Sequence, residues 1–355
     1  MIPIDPDQYD DEETHDGVVM KTHSSMDTDV RVLQQQIQQI QKDVQRIHTH
    51  LGQVILGQST LIDDLLCCML AEGHILIEGT PGLGKTLAVK ALGRVLDLTL
   101  KRVQCTSDLM PNDILGGTQL IQDQLQTHTH FVQGPIFTQL LFVDEINRAN
   151  PRTQSALLEA MAERQVSIEG KTQPLPTPFM LLATQNPLDQ EGTYALPDAQ
   201  ADRFMFKIIL TQPPQDVLAH ILTFDARTAL KKVPTLLSAD TLLTWQSLRS
   251  QVVLPQSLQQ LLVQMILSTR PNSLIAQQTQ THSYLLEGVS PRAAQDLYKA
   301  TQARALLAGR MHAQVEDLKA CLIPVLRHRI KLHWEAHIHK IDAQSILHTL
   351  IQEIF

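Results

Sequence analysis

Eight residues constrain this chain more than any others: Gly79-Thr80-Pro81-Gly82-Leu83-Gly84-Lys85-Thr86. The run fits the pattern G-x-x-x-x-G-K-[ST], a glycine-rich turn that grips phosphate. Its surroundings fit too. His74-Ile75-Leu76-Ile77-Glu78 reads as a short buried strand, and Leu87 to Leu96 has the apolar spacing of a helix. Such a strand–turn–helix passage aims successive backbone N–H groups at one point, with the positive end of a helix behind them. Lys85 is placed to reach β- and γ-phosphates, and the Thr86 hydroxyl to hold Mg²⁺. The expected cofactor-binding set is Gly79, Thr80, Pro81, Gly82, Leu83, Gly84, Lys85, Thr86 and Leu87.

A second motif supplies acids. Leu140-Leu141-Phe142-Val143 forms an apolar strand, and Asp144 and Glu145 follow at its carboxyl end. Ligands of open α/β sheets bind at that edge. Asp144 is expected to orient Mg²⁺ and Glu145 to polarise an attacking water. Asn186 ends the next apolar strand, where its neutral amide can hold that water. Arg203 is suited to charge developing on a γ-phosphate, or to a salt bridge with Asp202 or Asp198. Arg292 follows Ser290 and Pro291 at an expected helix start, where a cation is locally unfavourable; it either serves an anion from elsewhere or is an ordinary surface arginine.

Strand-like runs at Ile75–Ile77, Leu98–Val103, Leu140–Val143, Phe179–Ala183 and Phe206–Leu210 alternate with helical patterns. That alternation predicts a parallel sheet covered by helices. Gln212-Pro213-Pro214 marks a break, after which helical spacing dominates in Leu258–Leu267, Pro291–Leu307, Val315–Leu332 and Ala343–Ile354. The expected domains are an acidic disordered tail (1–28), an N-terminal helix plus α/β core (29–212), a linker (213–235) and a helical domain (236–355). Val30, Leu33, Ile37, Ile40, Val44, Ile47 and Leu51 form a heptad stripe. We read it as an amphipathic helix packed on its own domain rather than a coiled coil.

Composition narrows the function. A net charge of −8 and 4% aromatic residues argue against a dedicated nucleic-acid groove, which needs cations and stacking rings. Cys67, Cys68, Cys105 and Cys321 have no C-x-x-C spacing and read as reduced core thiols, as in a cytoplasmic protein. The acidic start lacks the pattern of a signal peptide, and no apolar run reaches membrane-spanning length. His333-Trp334-Glu335-Ala336-His337 misses the order H-E-x-x-H and reads as an ordinary helix face.

Taken together, GTPGLGKT, FVDEINRA, ATQNP and EGTYALPDAQADRF resemble the MoxR family of AAA+ ATPases. So do RVQCTSDLMPNDILGG, GPIF, TQSALLEAMAERQVSIEG, VSPRA and the HRI segment. The resemblance implies a three-layer αβα core with a parallel sheet and a smaller all-α lid. It implies ATP and Mg²⁺, with Lys85 and Thr86 on phosphate and metal and with Asp144 and Glu145 as the Walker B pair. Asn186 would be sensor 1, Arg292 sensor 2 delivered from the lid, and Arg203 an arginine finger acting on a neighbouring subunit. It further implies a ring, usually hexameric, that remodels a client protein, often with a von Willebrand factor A domain partner. An insert within about 108–131 and a hairpin near 165–176 are expected. Cys105, Ser107 and Ala201 depart from the usual residues of the family and bear on packing. Two other readings stand beside this one: a nucleic-acid-stimulated motor and a nucleotide-gated scaffold.

Overall fold

Five short apolar runs become one parallel sheet. In the computed structural model, residues 16–122, 127–168, 170–187, 192–279 and 281–355 are described, with side chains from residue 31 onward except 119–129. The described elements run α1 (Asp16–Gly52), α2 (Ser59–Leu70), β1 (Ile75–Glu78), α3 (Lys85–Val95), β2 (Leu100–Gln104) and α4 (Pro111–Leu115). A hairpin of β3 (Gly116–Gln122) and β4 (Thr127–Gln133) precedes β5 (Leu140–Asp144) and α5 (Pro151–Glu163). A second hairpin, β6 (Gln165–Ile168) and β7 (Lys171–Pro174), leads to β8 (Met180–Gln185), α6 (Asp198–Ala201) and β9 (Phe206–Ile209). Then come α7 (Gln215–Leu222), α8 (Ala226–Lys232), α9 (Ala239–Arg249), α10 (Gln256–Ser268) and α11 (Leu274–Gln278). The remainder is β10 (Leu285–Glu287), α12 (Pro291–Leu307), α13 (Val315–Leu326), β11 (Lys331–Leu332), α14 (Trp334–Ile338) and α15 (Ala343–Ile354).

The sheet order is β2-β5-β8-β1-β9, parallel throughout. Alternate residues of a strand face opposite sides. Ile75, Ile77, Leu140, Phe142, Met180 and Leu182 therefore join one buried cluster. Leu76, Leu141, Val143, Leu181 and Ala183 join the other, with α5. Both faces are covered, which is why these strands read as unbroken apolar runs. The heptad stripe of α1 buries Ile40, Val44, Ile47 and Leu51, and α1 packs on α2 and α3 of the core and also on α12 of the helical domain.

Several expectations change. Residues 1–15 of the expected tail lie outside the described residues, but from Asp16 the backbone is already helical and continuous with α1. Extending an existing helix adds a hydrogen bond for each residue fixed, whereas starting one does not. The expected linker at 213–235 carries α7 and α8, the second capped by Asp225, whose carboxylate accepts from the Arg227 and Thr228 N–H groups. The helical spacing read through Leu332 stops at Leu326. Pro324 removes a donor from the last turn, and the chain then turns to bring Arg329 into the core. Among its described residues the helical lid also holds the antiparallel pair β10–β11, whose strands are too short to show a period in sequence, and an isolated parallel bridge between Val253 and His312.

Candidate nucleotide-binding site

A cavity of about 550 Å³ opens at the carboxyl edge of the sheet. The glycine turn forms one wall from Pro81 to Leu87, and Asp144, Glu145 and Asn186 face it from the ends of β5 and β8. Strand order reverses around β1 and β8, the place where such sheets bind ligands. Gly82 and Gly84 have φ of +89° and +77°, which residues with a Cβ rarely adopt. Gly84 is the cap of α3, so the first N–H groups of that helix have no partner within it and are available at the turn.

The Lys85 ammonium donates to the Gly79 and Thr80 carbonyls, the latter at 3.2 Å. Burial pulls its pKa below the ordinary lysine value, while Asp144 and Glu145 act in the opposite direction. Gly79 and Thr80 thus belong to the site through their carbonyls, although they do not line the cavity.

Thr184 joins the two acids. Its hydroxyl donates to Asp144 Oδ1 at 2.6 Å and accepts from the Glu145 N–H at 2.8 Å. Glu145 has a left-handed backbone (φ 58°, ψ 53°), uncommon away from glycine and a frequent mark of functional sites. Arg102 Nη2 donates to Asp144 Oδ2 at 2.6 Å, and Gln104 Nε2 to Glu145 Oε2 at 3.2 Å. Arg148 Nε lies 3.0 Å from the same Glu145 oxygen. Cys105 follows β2 beside these carboxylates. Burial, and then the charges of Asp144 and Glu145, push its pKa up to about 12. A carboxylate offers about four acceptor positions. Asp144 therefore retains lone pairs beyond those facing Thr184 and Arg102. With the Thr86 hydroxyl this makes a donor set suited to Mg²⁺, which takes most of its ligands from phosphate and water.

The other end of the cavity is apolar. Val54, Ile55 and Leu56 line it from the α1–α2 connection, and Pro213, Ile221 and Phe224 from the α7 region. The sequence reading took Gln212-Pro213-Pro214 only as a boundary. Thr184, Arg102, Gln104 and Arg148 also escaped it as site residues. For Gln104 the signal lies in the parallel register, which puts it opposite Asp144, whereas Arg148 stands only three residues after Glu145.

The two arginines lie elsewhere. Neither Arg203 nor Arg292 lines the cavity. Met205 donates to the His74 carbonyl (2.9 Å), so Arg203 precedes β9 at the amino end of the sheet. The glycine turn follows the carboxyl end of β1, about 13 Å further along the strand. Asp202 does not pair with Arg203. Its carboxylate accepts from Ser290 Oγ at 3.3 Å and lies 2.9 Å from Arg329 Nε. Ser290 caps α12, whose first turn carries an exposed Arg292. The elements bearing the two arginines are thus tied together through Asp202, and neither arginine lines the cavity of its own chain. Arg329 strengthens the tie. Its buried guanidinium donates to the carbonyls of Asp202 (2.8 Å) and Phe204 (3.0 Å) and to Asp296 Oδ2 (2.5 Å). The His328 ring also meets the Phe204 carbonyl, at 2.9 Å.

Among the described residues, no group of three or more His, Cys, Asp or Glu could hold a metal ion, the α14 histidines included. All four cysteines are free and buried. No helix of the described residues is long and apolar enough to cross a membrane.

This fold and site define a nucleotide-binding AAA-type core with a helical lid. Residues 74–206 match the profile of the ATPase family associated with various cellular activities (AAA), and residues 277–350 match the AAA lid domain. Chaperone MoxR1 of Mycobacterium tuberculosis is 36% identical over 301 residues, covering 85% of this chain and 79% of that protein. YeaC of Bacillus subtilis is 35% identical, covering 86% and 92%, and protein MoxR of Paracoccus denitrificans is 32% identical, covering 79% and 86%. The crystal structure of a protein assigned as an ATPase from Cytophaga hutchinsonii superposes with a TM-score of 0.81 at 34% identity, covering 91% of this chain and 98% of the other. The chain belongs to the MoxR family of AAA+ ATPases.

Proposed function

We propose that this protein hydrolyses ATP at the interfaces of a ring and uses the cycle to remodel a partner protein. The observation that carries the reading is the convergence of Lys85, Thr86, Asp144, Glu145 and Asn186 on one cavity. Triphosphate would lie on the glycine turn, held by backbone N–H groups and Lys85, with the base against Val54, Ile55 and Phe224. Mg²⁺ held by Thr86 and Asp144 would neutralise phosphate charge. Glu145 would take the proton of the attacking water, with Asn186 holding that water in line. The products are ADP and phosphate.

The position of the arginines supports action between subunits. Neither Arg203 nor Arg292 lines the cavity of its own chain, and both would serve the nucleotide of an adjoining protomer. This modifies the expected delivery of Arg292 by the lid: the lid would carry it to the neighbour. A hexameric ring, a cytoplasmic location, chaperone-like maturation of a client and a von Willebrand factor A domain partner are parts of the same reading. They draw support from family membership and from the chaperone name of the M. tuberculosis relative.

The test is ATP turnover and binding in two variants. Glu145→Gln is expected to bind labelled ATP and lose hydrolysis by about a hundredfold or more. Lys85→Ala is expected to lose binding itself. Full turnover in Glu145→Gln, or undiminished affinity in Lys85→Ala, would overturn the assignment.

A further inference from the structure

The lid carries an apolar surface beside Arg292. Val263 on α10 is 54% exposed and stands between two open grooves. One, of about 880 Å³, lies between α10 and α11 and is bordered by Leu267, Arg270 and Leu274. The other, of about 540 Å³, reaches the first turns of α12, where Ala294 and Gln295 follow closely on Arg292. Arg270 is packed against the same segment: a Cβ on Gly288 would come within 2.7 Å of its Cγ. The Val289 N–H donates to Thr269 Oγ1 at 3.2 Å. Gln295, which borders the second groove, stands one helical turn from Arg292 on α12.

A complementary stripe stands at the opposite pole. α7 exposes Leu218, Ile221 and Leu222, the last 87% exposed. Their spacing puts them on one side of the helix. Ile221 also lines the nucleotide cavity, whereas Leu222 does not.

We propose that α7 of one protomer docks by Leu218 and Leu222 into the lid grooves of the next, against Val263 and Leu267. The proposal rests on the reading that Arg203 and Arg292 serve the neighbouring nucleotide. That reading sets the arginine face of one copy against the cavity of another. α7 borders the cavity and the grooves border Arg292, so both apolar surfaces fall at the rim of the same joint. Charge agrees as well. Asp216 on α7 and Arg270 at the groove have opposite sign and are both exposed. A helix that lays leucines one turn apart into a groove between two helices is a common mode of recognition. The stripe and its receptor occupy different surfaces, so the contact is head-to-tail and closes into a ring when the rotation permits.

Paired cysteines test the contact. Leu222→Cys and Val263→Cys would be placed on separate chains, each in the Glu145→Gln background with ATP and Mg²⁺. A short bis-maleimide is expected to join the two chains when mixed and to leave either one alone uncrosslinked, because the native cysteines are buried. No crosslink in the mixture overturns the docking. Aspartate provides the second arm. Leu222→Asp and Val263→Asp should each bind labelled ATP as the parent does, melt normally and fail to assemble in analytical ultracentrifugation. Their equimolar mixture retains one intact contact and is expected to recover a dimer. If both aspartate variants assemble like the parent, the docking is wrong while the ring stands. If the parent itself stays monomeric with ATP at every concentration, the ring reading falls first.

Discussion

Thr184 shows how much of the candidate site rests on one neutral hydroxyl. It holds Asp144 by donating and fixes the strained Glu145 backbone by accepting. Thr184→Val keeps the shape and removes both bonds. A hydrogen bond to a charged group contributes roughly 1.5–3 kcal/mol, so kcat is expected to fall about tenfold to a hundredfold with little change in nucleotide Kd. Steady-state turnover beside fluorescent-nucleotide titration separates the two. Cys105, pushed up to about 12 by burial and its acidic neighbours, stays a thiol at pH 8. Alkylation followed by mass spectrometry should leave it unlabelled until the protein unfolds. Lys85 and Glu145 were readable in sequence because their spacing along the chain is the motif. Thr184 and Arg102 were not, because they meet the acids across strands separated by 40 and 42 residues.

At the scale of elements, Arg329 binds the lid to the loop that presents Arg203. We expect Arg329→Lys to keep the charge, lose the fork and let that loop move. Turnover should drop while ATP affinity and assembly persist, and stability should fall by up to about 3 kcal/mol as a buried pair is weakened. Urea unfolding reads the stability change. A merely structural role would not separate turnover from binding.

His74, just before β1, receives the Leu181 N–H at Nδ1 (3.0 Å) and meets the Met161 carbonyl at Nε2 (3.1 Å). Burial lowers its pKa to about 4. Unfolded, the imidazole regains a value near 6.5 and binds a proton that the folded form refuses. Its contribution is complete above that pH and is lost as pH falls toward 4, roughly 3 kcal/mol in all. Asp64, raised to about 6 by burial, acts in the opposite sense, its share being lost as pH rises. The informative quantity is therefore the difference between wild type and His74→Gln, which should widen with rising pH across that interval. Strand positions were legible because residues buried on both faces give unbroken apolar runs. The end of α13 was not, because Arg329 leaves the helical pattern to reach carbonyls more than a hundred residues earlier.

The whole molecule is a core and a lid whose candidate functional groups are divided between two poles. If the arginines act on a neighbour, two dead variants can repair each other. Lys85→Ala lacks a usable cavity and Arg203→Ala lacks the donated charge. Mixed in equal parts, they should form some interfaces with a sound cavity on one side and a sound arginine on the other, and recover a measurable fraction of activity. Specific activity of the wild type should climb with protein concentration for the same reason. The alternation of strands and helices announced the layered core, and the helical spacing announced the lid. The side of the core on which the lid sits was hidden, because Ser290, Asp202 and Arg329 set it through contacts that no local pattern records.

If the ring reading holds, the separation of the glycine turn and Arg203 by the length of β1 gives each subunit a head and a tail. On this reading, in an open row every inner junction is equipped, yet the terminal cavity always faces water alone. Only closing the circle furnishes every seat. The last copy to arrive would therefore change the output of the assembly more than any copy before it.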